Sequence, residues 1–312
     1  KTDDELLRAI LSEAKINCDH EEEVWRIEQM AKQHKRMVNI GIRLCFDIGL
    51  KWNRFGFSLA CVDDIVNKII ASPHLTLSGI HAHIGTNIRD IEQFAKLGVA
   101  LSDFAEHLLR DNNIRLKWID VGGGLAGISP RKDEEIVSAH PLPDVIQYAK
   151  AIIHPLKGYL QHSPTTQLIF EPGRTLFEPY GALLTKIFAT RSEKADHQEV
   201  ICDAGINTLS TSYVYDHPLH IMTAEQRGEQ RRTKLLGPTC NQVDQLYDEV
   251  MLPSLKTGDY ALFYGVGAYC MAFSFSFIRF RPGVVLWQGA DDACWLRQHE
   301  NLEHISQLET II

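Results

Sequence analysis

The sequence has no apolar run near the roughly 20 residues that a membrane helix needs, and its opening, KTDDELLRAI, is charged where a secretion signal would be apolar. A soluble, cytoplasmic protein with no membrane partner is predicted. Paired cysteine spacing is also missing. Cys18, Cys45, Cys61, Cys202, Cys240, Cys270 and Cys294 are an odd seven, scattered singly, so neither a disulfide framework nor a metal site is expected. No Lys/Arg stripe is present, and a net charge of -8 repels nucleic acid and anionic lipid. Internal repeats and low-complexity tracts are absent as well. What remains is a chain of 312 residues, 45% hydrophobic, long enough for two cores and suited to small-molecule chemistry.

The pattern of the first 175 residues is βα. Strands are predicted at 16–19, 38–46, 75–85, 116–123 and 167–172, with helices such as HEEEVWRIEQMAKQH and IEQFAKLGVALSDFAEHLLRD between them. Val24, Ile27 and Met30 share one helix face at three-residue spacing. Asp3, Asp4 and Glu5 precede Leu6 and Leu7 as the acidic first turn of a helix, so the chain reads as starting in the middle of a fold. Beyond Arg174 the texture becomes short β segments: GALLTKIFAT, EVICDAGI, HPLHIM, TKLLGPT, DYALFYGV and RPGVVLW. A barrel-like domain over 1–175 and a β-rich domain over 176–312 are therefore expected. The polar, Pro-flanked stretch 128–143 reads as an exposed loop over the strand ends.

Three predicted strands end in chemistry: His-Ala-His-Ile-Gly-Thr at 81–86, Gly-Gly-Gly at 122–124 and Glu-Pro-Gly-Arg at 171–174. In a β/α barrel the C-terminal strand ends carry the active site, so these clusters converge on one ligand. The three glycines serve either as a tight turn or as a phosphate-binding nest, with Thr86 and Arg174 able to bond phosphate oxygens. Glu171 either pairs with Arg174 or keeps a pyridine nitrogen protonated. His83 is either an ordinary buried histidine or a flat face for a cofactor ring, and His81, two residues away, points to the same side.

The segments GIHAHIGTN, IDVGGGLAG, EPGRTLFEPYGALLTKI, ICDAGINTL, LLGPTCNQVD and GVGAYC, in this order and spanning nearly the whole chain, resemble the fold-type III pyridoxal-phosphate decarboxylases, the group of diaminopimelate, ornithine and arginine decarboxylases. The resemblance implies an alanine-racemase-like β/α (TIM) barrel, here holding only its fourth to eighth strands, followed by a β domain that completes an active site at a homodimer interface. It implies pyridoxal phosphate as cofactor and an amino acid as substrate. His83 would stack on the cofactor ring and Glu171 would meet its nitrogen. Thr86, Gly122, Gly123, Gly124, Gly173, Arg174 and Tyr269 would hold the phosphate. Cys240 would protonate the product from the partner subunit.

Substrate choice is where the chain departs from these relatives. Diaminopimelate decarboxylases resemble segment 203–221 but carry Arg-Pro where this chain has Thr211 and Ser212, and an acidic residue where it has Asn241. Tyr215-Asp216-His217 resembles instead the YDH of ornithine decarboxylases, whose aspartate receives a distal amine, although Asp216 is also a natural turn residue. A basic or otherwise polar amino acid other than meso-diaminopimelate is expected. The family's cofactor-anchoring lysine, in an aromatic-Ala-x-Lys context on the first barrel strand, has no counterpart here: Lys117 lies at the wrong end of its strand and Lys186 lies in the second domain. Additional N-terminal sequence is therefore expected in the native protein, and the fragment alone is expected to be inactive. A non-catalytic regulator on the same fold would also explain the missing lysine, and an alanine-racemase-like isomerase shares the barrel and cofactor.

Overall fold

The computed structural model describes residues 1–50, 52–132, 141–192, 196–289 and 292–310. Two compact units emerge, Lys1–Ala126 with Ser138–Gly173, and Gly127–Val137 with Arg174–Ile312.

In the first unit, strands β1 (Ile16–Cys18), β2 (Val38–Cys45), β3 (Phe57–Ser58), β4 (Leu75–His81), β5 (Trp118–Asp120) and β6 (Gln167–Ile169) form one parallel sheet. Its order is β1-β2-β4-β5-β6, with the two-residue β3 beside β2. Helices α1 (Asp3–Leu11), α2 (Glu21–Gln33), α3 (Val62–Ala71), α4 (Ile91–Asn112) and α5 (Val145–His162) precede or link the strands. This is the open arc of a β/α barrel, and the five strands expected from the sequence are the five of its main path. The helices start where the sequence stops them from starting earlier. Thr2 and Glu5 form a reciprocal capping box on α1, and Asp144 and Gln147 do the same on α5, satisfying amides that the first turn leaves unpaired.

The face of the sheet toward the helices is buried. In β2 the residues Val38, Ile40, Ile42 and Leu44 are all buried, and Leu6, Ile27, Ile69, Leu97, Leu101, Tyr148 and Leu156 close the core from the helices. Each such aliphatic side chain contributes about 1.5–3 kcal/mol on burial. One packing detail positions the site. The indole of Trp118, 2% exposed, lies across Gly79 of the neighbouring strand, where any Cβ would overlap its ring. Held there, Trp118 donates its Nε1–H to Asn17 Oδ1 at 3.0 Å.

The second unit is β-rich. Strands β7 (Ala182–Arg191), β8 (His197–Cys202), β9 (Leu219–Met222), β10 (Gln230–Leu236), β11 (Gln245–Pro253) and β12 (Tyr260–Tyr264) form a sheet of order β11-β10-β8-β7-β12-β9. Only β8 and β10 pair in parallel. A separate hairpin, β13 (Val284–Gly289) with β14 (Asp292–Arg297), follows. Two strands, β11 and β14, are not among the segments expected from the sequence, and they complete ladders with β10 and β13.

The expected loop at 128–143 needs correction. Residues 133–140 lie outside the described residues, but those before them are tied into the second unit. Asp216 donates its amide to Pro130 O at 3.0 Å, Lys132 donates to Val214 O at 2.9 Å, and Ser129 is fully buried. Polarity here serves hydrogen bonding inside the unit rather than exposure to water.

Candidate active site

At the C-terminal end of the first unit's sheet, the register places His81 opposite Asp120 and Asp120 opposite Ile169. Glu171 follows two residues later, and a side-chain nitrogen or oxygen of each of His81, Asp120 and Glu171 lies within 4.8 Å of the others, with His81 and Asp120 buried and Glu171 exposed. Asp120 was not singled out from the sequence. It accepts Asn17 Nδ2–H at 2.9 Å and the Gly122 amide at 3.0 Å, and its carboxyl stands near that of Glu171. Burial raises the pKa of Glu171, and the neighbouring Asp120 raises it further, against the pull of Arg43. Burial also raises Asp120, although its hydrogen bonds oppose this.

The histidines are neutral rings. Burial, with Arg43 nearby, pushes His81 down to about 3 and lowers His83 as well. His83 Nδ1 accepts the Gly123 amide at 3.1 Å, which fixes the ring, and Trp52 flanks it with ring centroids 5.9 Å apart.

The glycine run has its own structural reason. Gly122 and Gly124 adopt positive φ, +65° and +89°. A Cβ on Gly122 would come within 2.7 Å of Ala82 O, one on Gly124 within 2.5 Å of Gly85 O, and one on Gly123 would overlap Glu171 O. The glycines thus let three strand ends lie against one another. Their amides are not equally free. Those of Gly122 and Gly123 are spent on Asp120 and His83, and that of Gly173 on Glu171 O at 2.9 Å. Among the described residues the Gly124 amide has no such acceptor, and Thr86 lies half-buried in the loop after β4.

The second unit builds its own cluster around Arg174. Its carboxylate partner is Glu178, one helical turn on at 3.0 Å, rather than Glu171 as the bland reading of the sequence had it. Both side chains are buried, and the guanidinium lies 4.1 Å from the Tyr215 ring and 5.0 Å from the Tyr269 ring. Arg174 Nε and Glu178 Oε2 are buried without partners among the described residues. Tyr269 holds φ +68°, a conformation that costs a non-glycine residue and that collects at functional sites.

Beside Arg174 lies a buried polar chain. Thr211 Oγ1 is 2.8 Å from both His217 Nε2 and Cys270 Sγ, and His217 Nδ1 is 3.2 Å from Ser129 Oγ. Burial pushes His217 to about 4. The folded chain therefore resists its protonation while the unfolded chain does not, so its stabilising share holds above about 6.5 and is lost as pH falls toward 4. Denaturation curves should show stability declining more steeply over that interval in the wild type than in His217→Gln. Parallel declines would refute this.

Asp216 is half-exposed, and Lys132 Nζ stands 3.9 Å from its Oδ1. Burial raises the Asp216 carboxyl, and Lys132 opposes it. Cys240 is exposed on the loop after β10, and Asn241 Oδ1 is engaged locally by the Val243 amide at 3.2 Å. The loop is anchored by Asp244, a buried carboxylate that accepts from Thr239 N, Thr239 Oγ1 and Ile206 N. Asp244, Glu178, Lys132 and Asn17 all escaped sequence reasoning. Only the four-residue spacing of Arg174 and Glu178 offered a signal.

Residues 1–178, more than half the chain, match the family described as pyridoxal-dependent decarboxylase, pyridoxal binding domain. The diaminopimelate decarboxylase of Haemophilus influenzae is 28% identical over all of this chain and 75% of its own length. That of Methanocaldococcus jannaschii is 27% identical over 92% of this chain and 66% of its own. Among solved structures, the Helicobacter pylori diaminopimelate decarboxylase complexed with L-lysine superposes with a TM-score of 0.84 at 25% identity, over 99% of this chain and 76% of that one. A Chlorella virus arginine decarboxylase shares the fold more distantly, with a TM-score of 0.71 at 21% identity over 89% of this chain and 72% of its own. No helix among the described residues is long and apolar enough to cross a membrane.

Proposed function

This chain belongs to the pyridoxal-dependent decarboxylase family, with pyridoxal phosphate as its cofactor and removal of a carboxyl group as its chemistry, and on that premise we propose that its substrate is a diamino acid of the diaminopimelate kind, bearing an amine and a carboxylate at its distal end. The observation that carries this is the Asp216–Lys132 pair. An anion and a cation side by side complement a distal ammonium and a distal carboxylate together. The sequence pointed away from diaminopimelate because Thr211 replaces a cation, and its hydroxyl is indeed committed to His217 and Cys270. Lys132 supplies a cation from another segment. The curated relatives named above, diaminopimelate decarboxylases both, support the same choice.

The residues present fit the cofactor. Bound, it supplies an electron sink for the pair left behind by the departing carboxyl. Glu171, exposed beside the buried Asp120, suits the ring nitrogen, and the neutral, fixed His83 offers a flat face. For the phosphate, the Gly124 amide and the Thr86 hydroxyl are the donors of the first unit, with Gly122, Gly123 and Gly173 shaping the backbone; in the second unit Arg174, flanked by Tyr269, is a buried cation suited to an anion. Cys240, exposed on an anchored loop, is assigned the proton delivery, in a homodimer where it serves the partner's site. The racemase and scaffold alternatives have nothing comparable in their favour.

Carbon dioxide release by the cofactor-loaded full-length protein should be fastest with meso-diaminopimelate, ahead of L-lysine and L-ornithine. Lys132→Met should raise the KM for diaminopimelate on the order of 10-fold, the loss of one charged hydrogen bond, and leave that for L-lysine unchanged. Preference for L-lysine, or equal effects on both, would mean that Asp216 alone reads a basic amino acid.

A further inference from the structure

We propose that Trp118, Asn17 and Asp120 are positioning residues for the cofactor's phosphate, a hydrogen-bonded relay that crosses the sheet and holds the glycine turn at 122–124 in its binding shape. The proposal rests on the cofactor assignment above and adds to it three residues that act through the backbone of the turn.

The relay starts from one row of the sheet. Asn17 on β1 pairs with Gly41 on β2, Gly41 with Gly79 on β4, and Gly79 with Trp118 on β5, so the four stand at one level with the two glycines in the middle. The missing side chains leave a trough. The Trp118 indole lies along it over Gly79 and reaches Gly41, where a Cβ would come within 3.1 Å of the ring and would overlap Asn17 Oδ1. Trp118 thus meets a residue three strands away, and its Nε1–H donates to Asn17 Oδ1 at 3.0 Å.

The direction of the relay follows from its donors. An indole N–H can only donate, so the carbonyl end of the Asn17 amide faces it and the NH2 end faces away. That NH2 end donates to Asp120 Oδ2 at 2.9 Å. Asp120 stands two residues beyond Trp118, on the same face of β5, and is 4% exposed, so its carboxylate has to find its hydrogen bonds inside the protein. Its other oxygen, Oδ1, accepts the Gly122 amide at 3.0 Å.

At Gly122 the relay reaches the backbone of the site. Gly122 holds φ +65° with its N–H tied to Asp120, and Gly123 is tied in the same manner to His83. These two bonds fix the peptide planes of the turn and leave the Gly124 amide, which has no acceptor among the described residues, for an anion. Asn17 is what keeps Asp120 from swinging away from Gly122.

Exchanging the two polar side chains tests the relay in the full-length protein stripped of cofactor. Asn17→Asp sets two carboxylates face to face. Asp120→Asn leaves one donor facing another whichever way the two amides turn. Each single variant should weaken 4-deoxypyridoxine 5′-phosphate, which lacks the aldehyde and so cannot bond covalently, on the order of 10-fold by calorimetry, the loss of one charged hydrogen bond. Affinity for 4-deoxypyridoxine without the phosphate should not change. The double variant Asn17→Asp with Asp120→Asn rebuilds the chain with its ends exchanged: the new carboxylate accepts from both Trp118 and the new amide, whose oxygen accepts the Gly122 N–H. It should bind the phosphate analogue within about 3-fold of wild type. Trp118→Phe keeps a ring in the trough and removes only the N–H, and should weaken the same analogue roughly 3-fold, as for an uncharged hydrogen bond. If a single variant does not fold, the double variant and Trp118→Phe decide the matter. Singles that bind like wild type, a double no better than the singles, or equal losses for the two ligands overturn the relay. A wild-type protein that binds neither ligand overturns the cofactor assignment instead.

Discussion

Glu171→Gln is expected to lower kcat on the order of 10²–10³-fold, the usual cost of removing one preorganised electrostatic contact from a reacting group. The amide keeps the shape of the carboxyl and its place beside Asp120 but supplies no negative charge to hold the ring nitrogen protonated, so the electron sink is weakened while the fold is kept. The KM should change little, because the substrate's distal end is read elsewhere. Steady-state kinetics with full cofactor loading, verified by absorbance, separates this from loss of cofactor. A kcat within a few-fold of wild type would remove Glu171 from its assigned role.

Arg174→Met is expected to destabilise the second unit by about 3–5 kcal/mol, because it leaves Glu178 as an uncompensated charge in a fully buried position. The double variant Arg174→Met with Glu178→Gln should recover most of that loss, since it removes both charges and keeps the volume beneath the two tyrosine rings. Denaturant unfolding of the two single variants and the double closes the cycle. If the single variant is as stable as the double, the ion pair contributes nothing to folding, and Arg174 would have to be retained for phosphate alone. Cofactor affinity, measured on the same proteins, should fall in both.

Much of the first unit was legible because a parallel strand buried on both faces writes itself as an apolar run, and because the reactive residues stand just past the ends of such runs. His83, the glycines and Glu171 were singled out this way. Asp120 was hidden by the same pattern. It ends the apolar run that the sequence reads as strand, and its importance comes from Asn17 and Trp118, partners that no local pattern connects to it. Lys132 was concealed by a correct observation wrongly extended: a polar stretch was read as exposed, although its backbone is consumed by Val214 and Asp216. Thr211 illustrates a third limit. The replaced residue could be seen in the sequence, but not Lys132, the cation that the proposed reading puts in its place.

Trp118 also gives the molecule an internal optical probe. Trp25, Trp52, Trp287 and Trp295 are all exposed, so the shortest-wavelength part of the fluorescence, and the part that survives iodide quenching, belongs to the single buried indole. Its N–H is one hydrogen bond from Asn17 and two from Asp120. A change in charge at the carboxyl pair should therefore tune that emission through the local electric field, which allows the state of the pocket to be followed without a label, a substrate or any turnover.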